Sequence, residues 1–168
     1  MRVGLMVGEG SGAAPELQGL IERGRLAERS GLDTAWIANI ALDAMTASAA
    51  LGAMTSRIEI GTAVVPTFTR HPVAMAQQAT STQMACSGRF SLGIGLAHKF
   101  MVEAMWGLSY EKPAQQMRAY LEILQPLMQG KAVTHKNEQF DVKLAAMPEG
   151  TETSLLIAAL GPMMLKLA

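Results

Sequence analysis

The chain is poor in cysteine and aromatic residues, and it has neither a net charge nor a long apolar run. One cysteine, two Trp, two Tyr and four Phe occur among its 168 residues. A single thiol cannot form an internal disulfide, so Cys86 fits a reducing cytoplasm. Its small neighbours Ala, Ser and Gly indicate a buried thiol rather than a catalytic nucleophile.

The charges exclude two classes of partner. The 14 basic and 14 acidic residues balance to zero, and the basic residues are scattered along the chain, which disfavours nucleic acid and anionic membranes. No apolar run approaches the roughly 20 residues that span a bilayer. The first residues, MRVGLMVGEG, lack the longer apolar core of a signal peptide. We therefore expect a cytoplasmic protein with no nucleic-acid partner and no membrane partner.

Residues 58–95 carry most of the information. They read as an apolar strand, IEIGTAVV, a turn, PTFTRHP, a helix over 73–87, and a second apolar strand within GRFSLGIG. Such apolar runs are typical of strands buried on both faces of a parallel sheet, and the helix supplies the crossover that parallel strands need. In folds of this kind, ligands bind at the carboxyl ends of the strands.

The rest of the chain repeats this alternation. An irregular stretch is expected over 96–113, and residues 131–153 are expected to form an excursion, either a short hairpin or an extended segment. The pattern fits both a doubly wound open sheet and a (β/α)8 barrel, within a single domain over 1–168. Strands are predicted over 3–7, 34–38, 58–65, 90–96 and 154–160, and helices over 16–30, 44–54, 73–87, 114–128 and from 161 onward.

Several segments together resemble the bacterial luciferase-like superfamily. They are IEIGTAVV, TRHPVAMAQQA, GRFSLGIGLAH, MWGLSYEKPAQQMRAYLEIL and AALGPMMLKLA, in this order and spacing. Within the superfamily, the chain is similar to the oxidoreductases that use the deazaflavin coenzyme F-420. The resemblance implies an α/β fold made of the parallel (β/α) units of a TIM barrel.

The resemblance covers only part of such a barrel. About five of the eight strands are present, so we expect a truncated barrel, whereas the family's sequence continues through three more strands. An open half-barrel exposes strand edges and apolar faces. We therefore expect a homo-oligomer, in which two copies complete one barrel.

The resemblance suggests cofactor contacts at the ends of the second and third strands. Ala63 and Val64 occupy the position where the family often has a bulge against the flavin-type ring, although the residues alone favour a plain buried strand. Asn39 stands where relatives often have an acidic residue that touches the ring. Ile40 replaces the catalytic histidine of some relatives, which disfavours sugar-phosphate dehydrogenase chemistry.

The end of the fourth strand provides further candidates. Gly95 lies there in GIG, and His98 follows it, in a position suited to donating to a developing anion or a phosphate. His98 is the catalytic candidate, and a loop histidine without a role is the alternative. His71 is expected to fix the turn into a helix, and His135 is expected to be incidental. These three histidines have no spacing that suggests a metal site.

The turn after the fifth strand completes the candidate site. In the family, this turn contacts the cofactor's phosphate or side chain. The resemblance therefore implies that Ala159, Leu160, Gly161 and Pro162 bind the cofactor. A helix start presents free N–H groups, although Gly-Pro alone is a common loop marker. Glu9 and Asp43 do not form a convincing carboxylate pair, and Asp43 is expected to cap a helix.

Three functions remain open. The first is an oxidoreductase that transfers a hydride between deazaflavin F-420 and an unknown organic substrate, in which the cofactor carries the chemistry. The second is an FMN-dependent monooxygenase. The third is a non-catalytic flavin-binding or assembly protein, which the incomplete barrel favours.

Overall fold

The computed structural model describes residues 1–8, 15–145 and 152–168. The predicted alternation of strands and helices is confirmed there, with boundaries shifted by a few residues. The strands are β1 (Gly4–Met6), β2 (Thr34–Ile37), β3 (Glu59–Thr62), β4 (Val65–Pro66), β5 (Phe90–Gly95), β6 (Val133–Lys136), β7 (Asp141–Leu144) and β8 (Ser154–Ile157). The helices are α1 (Leu17–Arg29), α2 (Ala44–Ala53), α3 (Pro72–Ala85), α4 (Pro113–Met128) and α5 (Pro162–Leu167).

The main sheet is parallel and follows the order of the chain. β1 pairs with β2, β2 with β3, β3 and β4 with successive parts of β5, and β5 with β8. A doubly wound sheet reverses its strand order at a switch point, and this one does not. The order is that of consecutive units of a (β/α) barrel, and the sheet is not closed within the described residues.

The central strands are buried and the outer ones are not. Every residue of β5 is buried, whereas every residue of β1 is exposed, and β8 alternates between exposed and partly buried positions. Neighbouring helices pack on one another, α1 on α2, α2 on α3 and α3 on α4, and enclose the core with β2, β3 and β5. Apolar side chains therefore remain uncovered on the first and last strands, as the sequence predicted for an open barrel.

One tryptophan lies across the sheet itself. A Cβ on Gly4 would stand 2.6 Å from Nε1 of Trp36, and a Cβ on Gly61 would stand 2.2 Å from its Cζ3. Trp36 is opposite both Met6 and Gly61 in the strand register. The two glycines of β1 and β3 thus leave room for the indole between them.

The third predicted strand is interrupted. The sequence predicts one strand over 58–65, but β3 ends at Thr62 and β4 begins at Val65. The peptide bond between Ala63 and Val64 is cis. The interruption lies where the family resemblance suggests a bulge.

The irregular stretch over 96–113 contains regular structure that was not predicted. Residues Met101–Met105 form a short π-helical segment, preceded by Phe100 in a helical conformation and followed by Trp106. This segment lies between β5 and α4. The 96–113 connection is therefore partly ordered rather than a plain loop.

The excursion over 131–153 begins as a hairpin. β6 and β7 pair in antiparallel fashion, and Asn137 Oδ1 accepts hydrogen bonds from the backbone N–H groups of Gln139 and Phe140 in the turn. The Phe140 ring meets the rings of His71 and Tyr120 edge-on. Of the two alternatives, the hairpin is confirmed over Val133–Leu144, and residues 146–151 lie outside the described part.

The helix starts follow the predicted capping. Asp43 Oδ1 accepts the backbone N–H of Thr46 at 2.8 Å, which confirms its role as the cap of α2. His71 Nδ1 accepts the N–H of Val73 at 3.3 Å at the start of α3. His71 therefore fixes the turn into its helix, as predicted.

Polar side chains tie the loops together at the amino ends of the strands. Arg89 donates four hydrogen bonds to the segment before β3, reaching the carbonyls of Gly52, Thr55 and Ile58 and the hydroxyl of Thr55. Glu28 accepts the N–H groups of Ser56, Arg57 and Ile58 with one carboxylate oxygen. Among the described residues, none of the helices combines the length and the apolar character that a membrane span requires.

Candidate functional site

A cavity opens at the carboxyl ends of the parallel strands. Its volume is about 780 Å³, which lies in the range of small-molecule and cofactor sites. Its wall combines the end of β5, the interruption of the third strand, the start of α4 and the turn into α5. The wall residues are Val64, Gly95, Leu96, Ala97, His98, Tyr110, Lys112, Pro113, Ala114, Gln115, Ala158, Leu160, Gly161, Pro162, Met163 and Met164.

Close packing of the backbone shapes the inner wall. Thr62 Oγ1 donates to the carbonyl of Gly93 at 2.8 Å and accepts its N–H at 2.9 Å. A Cβ on Gly93 would come within 2.0 Å of the Thr62 carbonyl oxygen. A Cβ on Gly95 would stand 2.7 Å from Val64 and 3.2 Å from Ala158. The glycines of the GIG sequence therefore allow β5 to approach the third strand and keep the cavity open.

The rim is formed by the two ends of the 96–113 connection. Tyr110 stacks on Phe68 with ring centroids 5.3 Å apart, and its hydroxyl donates to the Ala97 carbonyl at 3.4 Å. Ala97 has a positive φ of 61°. These contacts bring the residues on both sides of the π-helical segment to one rim, with His98 exposed beside Ala97.

Lys112, which is not among the residues predicted from the sequence, also belongs to this rim. It has a φ of 45°, and its carbonyl accepts the N–H groups of Gln115 and Gln116 to begin α4. Tyr110 and Lys112 lie in the MWGLSYEKP segment that contributes to the family resemblance, but this segment has no hydrophobic periodicity that would place them at the site. Two of the three non-glycine residues with positive φ in the described chain, Ala97 and Lys112, lie on this wall.

The turn after β8 forms the opposite wall. Leu160 is almost fully exposed, Gly161 has open space around the position of a Cβ, and Pro162 begins α5. Met164 is buried beneath them. Of the predicted cofactor-binding residues, Val64, Gly95, Leu160, Gly161 and Pro162 line the cavity, together with the catalytic candidate His98.

Three predicted residues are not on the cavity wall. Asn39 Oδ1 accepts the N–H of Ala44 at 3.0 Å, so its side chain helps to begin α2. Ala63 donates its N–H to the Ile37 carbonyl at 2.8 Å, and Ala159 packs against the hydrophobic core. Their contacts with a cofactor stay predictions. Glu9 lies outside the described residues.

A hydrogen-bonded chain connects α2, the turn after β4 and α4. The Arg70 guanidinium pairs with the Asp43 carboxylate, and the Tyr120 hydroxyl donates to the Arg70 carbonyl at 2.9 Å. Burial raises the pKa of Tyr120, against a smaller opposing effect of Arg70. Burial alone would raise the pKa of Asp43, but hydrogen bonds from Thr46 and Arg70 outweigh it and lower that pKa. This chain ties the turn after β4 to α2 and α4.

The other chemically reactive side chains play no part in the cavity. Cys86 is buried, as predicted, and burial raises the pKa of its thiol to about 11. His135 lies 3.5 Å from the Glu122 carboxylate on α4, away from the cavity. The described residues contain no group of three or more side chains with the potential to hold a metal ion.

The wall fits a flat, largely apolar ring system. None of the described wall residues is acidic, and most are apolar or glycine. The narrow gap between Gly95, Val64 and Ala158 would be filled by a single added Cβ. A flavin-type ring needs such a smooth surface, so the residues present are compatible with a flavin or deazaflavin.

All of residues 1–168 match the family model described as luciferase-like monooxygenase. The chain belongs to this family. A putative coenzyme F-420-dependent oxidoreductase of Mycobacterium tuberculosis is 33% identical over 125 residues, which cover 74% of this chain and 35% of that relative. The 5,10-methylenetetrahydromethanopterin reductase of Archaeoglobus fulgidus is 34% identical over 151 residues, covering 86% of this chain and 44% of the relative.

Two solved structures share the fold. The F-420-dependent tetrahydromethanopterin reductase of Methanopyrus kandleri superposes with a TM-score of 0.80 at 22% identity, covering 98% of this chain and 51% of that chain. The FMN-bound oxygenating constituent of 3,6-diketocamphane monooxygenase from Pseudomonas putida gives a TM-score of 0.78 at 18% identity, covering 94% and 51%. This chain thus spans about half the length of these structures.

Proposed function

We propose that this luciferase-like chain is an oxidoreductase that transfers a hydride between deazaflavin coenzyme F-420 and a small organic substrate. The observation that carries the proposal is the apolar cavity, free of acidic groups among its described wall residues, at the carboxyl ends of the strands. Relatives at 33% and 34% identity, named as F-420-dependent or as a methylenetetrahydromethanopterin reductase, support the choice of cofactor and reaction class.

The proposed roles follow from where the side chains lie. Val64 and Gly95 contact the ring, because they form the narrow inner wall. Leu160, Gly161 and Pro162 hold the cofactor from the opposite wall. Asn39, Ala63 and Ala159 are also proposed to contact the cofactor, because the family resemblance places such contacts at their positions.

His98 is the proposed catalytic residue. It is exposed at the rim, one residue from the Ala97 carbonyl that Tyr110 holds. From there it can donate a hydrogen bond to an oxygen that gains negative charge in the substrate. When bound, the deazaflavin supplies the hydride chemistry, and the protein contributes orientation and exclusion of water.

FMN is the alternative cofactor. An FMN-bound monooxygenase shares this fold, and the same apolar wall accepts either tricyclic ring. With FMN bound, the function would be that of a monooxygenase. The two cofactors have to be compared by direct binding.

The test is a fluorescence titration of the purified chain with F-420 and, in parallel, with FMN. Saturable binding of F-420 alone supports the proposal, and binding of FMN alone favours the monooxygenase. Leu160→Glu should weaken binding about tenfold, because it places a charge on the apolar wall, whereas Leu26→Glu on exposed α1 should not. If neither cofactor binds, the non-catalytic alternative replaces the proposal.

We further propose that the chain acts in the cytoplasm as a homo-oligomer. β1 and β8 each pair on one side only within the described sheet, and Leu5, Met6 and Leu156 are exposed on them. Two copies could satisfy both edges at once, if β1 of each pairs with β8 of the other around a twofold axis. Light scattering should then give twice the chain mass, and Leu156→Lys should reduce it. A stable monomer at high protein concentration would refute this assembly.

A further inference from the structure

We propose that the ligand cavity is shared between two subunits, because β1 of a second copy lies against β8 and completes the cavity wall with its Met6 side chain. This inference rests on the proposed function, since it takes up the twofold β1–β8 assembly and the cofactor site described there. It goes further by making the second copy a part of the site. Each cavity therefore needs two copies of the chain.

The cavity wall is incomplete on the side of β8. Its residues come from β5, the interrupted third strand, the start of α4 and the turn into α5, and no described wall residue belongs to β1 or β2. Leu160 and Met163 line the cavity and are 97% and 65% exposed. β8 is also the outermost strand of the described sheet on that side. A strand added to the free edge of β8 therefore lies beside the ligand.

The free edges of β1 and β8 carry backbone groups that match. Val7 donates its N–H to β2, and Ala158 donates its N–H to β5. Successive residues of a strand direct their N–H and C=O groups to opposite sides, so Gly4 and Met6 direct theirs to the free edge of β1. By the same alternation, the residues that point to the free edge of β8 are Leu155, Ile157 and Ala159. A parallel ladder between two copies pairs these two sets.

The side chains at the two edges favour one register of this ladder. With Leu5 opposite Ile157, both apolar side chains lie on the core side of the sheet. The same register places Arg2 of one copy beside the exposed Glu152 of the other, at the amino ends of the two strands. The Arg2 side chain pairs with Glu59 in its own chain and is still 72% exposed, so it is accessible to a second carboxylate. Opposite charges at this position support the parallel pairing.

This register places Met6 of the second copy on the cavity wall. The registers of the described sheet put Met6 on the same face as Ala158, through Trp36, Gly61, Ser91 and Ser154. With Leu5 opposite Ile157, Met6 of the second copy is opposite Ala158, which lines the cavity. Met6 is 50% exposed, and its flexible thioether suits an apolar wall.

A shared wall links ligand binding to assembly. A ligand that contacts both copies binds the assembled pair more tightly than the single chain, and it stabilises the pair by mass action. The ligand should therefore lower the protein concentration at which the copies assemble. By the same linkage, the affinity for the ligand should fall when the protein is diluted until the copies separate.

A disulfide cross-link tests the register without any ligand. Opposite residues of paired strands lie about 5 Å apart, which suits a disulfide, whereas Leu5 and Ile157 of one chain lie at opposite edges of the sheet. The variant with Leu5→Cys and Ile157→Cys should oxidise to a covalent dimer. Leu5→Cys with Leu155→Cys is the matched control, because it moves one thiol two residues along β8, beyond the reach of a disulfide. No covalent dimer from the first variant, or equal cross-linking of both, would overturn the pairing.

Mixed subunits test the shared wall, with F-420 and FMN as the probes. Met6→Glu and Leu160→Glu should each weaken binding about tenfold, because each places a charge on the apolar wall. When the two variants are mixed in equal parts, half of the pairs contain one subunit of each. In such a pair one cavity carries both substitutions and the other carries neither. About a quarter of all cavities should then bind the probe with the affinity of the wild type.

The other outcomes overturn the shared site. If the wild type binds a probe and mixing restores no binding, Met6 acts only within its own chain. If light scattering shows that Met6→Glu separates the copies, Met6→Trp replaces it in the mixture, because its apolar ring retains the edge and fills the wall. A wild type that binds neither probe overturns the proposed function together with the shared site, and the cross-link then still reports the assembly.

Discussion

The two ends of the parallel sheet use polar groups in opposite ways. At the amino end, Arg89 and Glu28 together accept or donate seven hydrogen bonds that tie the segment before β3 to α1 and β5. At the carboxyl end, the cavity wall is mostly apolar, and its charged side chain, Lys112, has no partner in the described residues. We therefore expect the stability of the fold to depend on the amino end of the sheet, and ligand binding to depend on the carboxyl end.

Gly93→Ala should have the largest effect, because it should lower both the stability of the fold and ligand binding. Its Cβ would come within 2.0 Å of the Thr62 carbonyl oxygen, so the two strands must separate. We expect a loss of about 3 kcal/mol in the free energy of unfolding, together with loss of ligand binding. Urea unfolding and a cofactor titration measure both. Gly19→Ala on α1, where the nearest atoms belong to flexible side chains, is the matched control and should change stability by less than about 1 kcal/mol.

Arg89→Met should affect the amino end alone. The substitution keeps an unbranched apolar stem but leaves three carbonyl groups without their donor. We expect a loss of about 2 kcal/mol in the free energy of unfolding and an unchanged dissociation constant for the cofactor. Arg118→Met, on the exposed face of α4, serves as the control and should be nearly neutral. A large fall in cofactor affinity for Arg89→Met would contradict the separation of the two ends.

Gly95→Ala should affect ligand binding more than stability, in contrast to Arg89→Met. The added methyl group would stand 2.7 Å from Val64 and 3.2 Å from Ala158, where these side chains can shift by a small amount. We expect stability to fall by about 1 kcal/mol and cofactor affinity to fall about tenfold, because the inner wall is filled. Titration and unfolding of the same preparation measure the two effects. Normal affinity would remove Gly95 from the ring-binding wall.

Glu28→Gln should give the smallest effect, and only near neutral pH. Burial alone would raise the pKa of Glu28, but hydrogen bonds from Arg57, Ile58 and Ser56 and the charge of Arg89 lower it. A carboxylate whose pKa is lower in the folded state stabilises the fold above its unfolded pKa, and this contribution is lost as the pH falls through the folded value. The urea midpoint of the variant should therefore lie below that of the wild type at pH 7. The difference between the two urea midpoints should shrink in acid. A difference that stays constant with pH would contradict the lowered pKa of Glu28.

Local chemistry made much of the fold predictable. Asp43 and His71 mark helix starts, and Gly31 and Gly130 adopt the positive φ expected after a helix. The apolar runs predicted the central strands because both of their faces are buried. The strand order followed from the family resemblance, since the pattern alone left a doubly wound sheet open.

The candidate site was predicted only where it lies on strands or their ends. Val64, Gly95 and Gly161 lie at strand ends or at a helix start, and the family resemblance assigned cofactor contacts to these places. Tyr110 and Lys112 were missed because contacts distant in sequence, with Phe68 and Ala97, bring them to the rim. No periodic pattern in a connecting segment reports such contacts.

The position of Trp36 gives the chain an optical reporter of its own. Its indole rests between Gly4 and Gly61 on the open sheet and is only partly buried. Covering that face would remove water from the ring and shift its emission to shorter wavelength. The second tryptophan, Trp106, follows the π-helical segment beside the rim. Replacing Trp106 with Phe would leave Trp36 to report assembly, while replacing Trp36 would leave Trp106 to report events at the mouth.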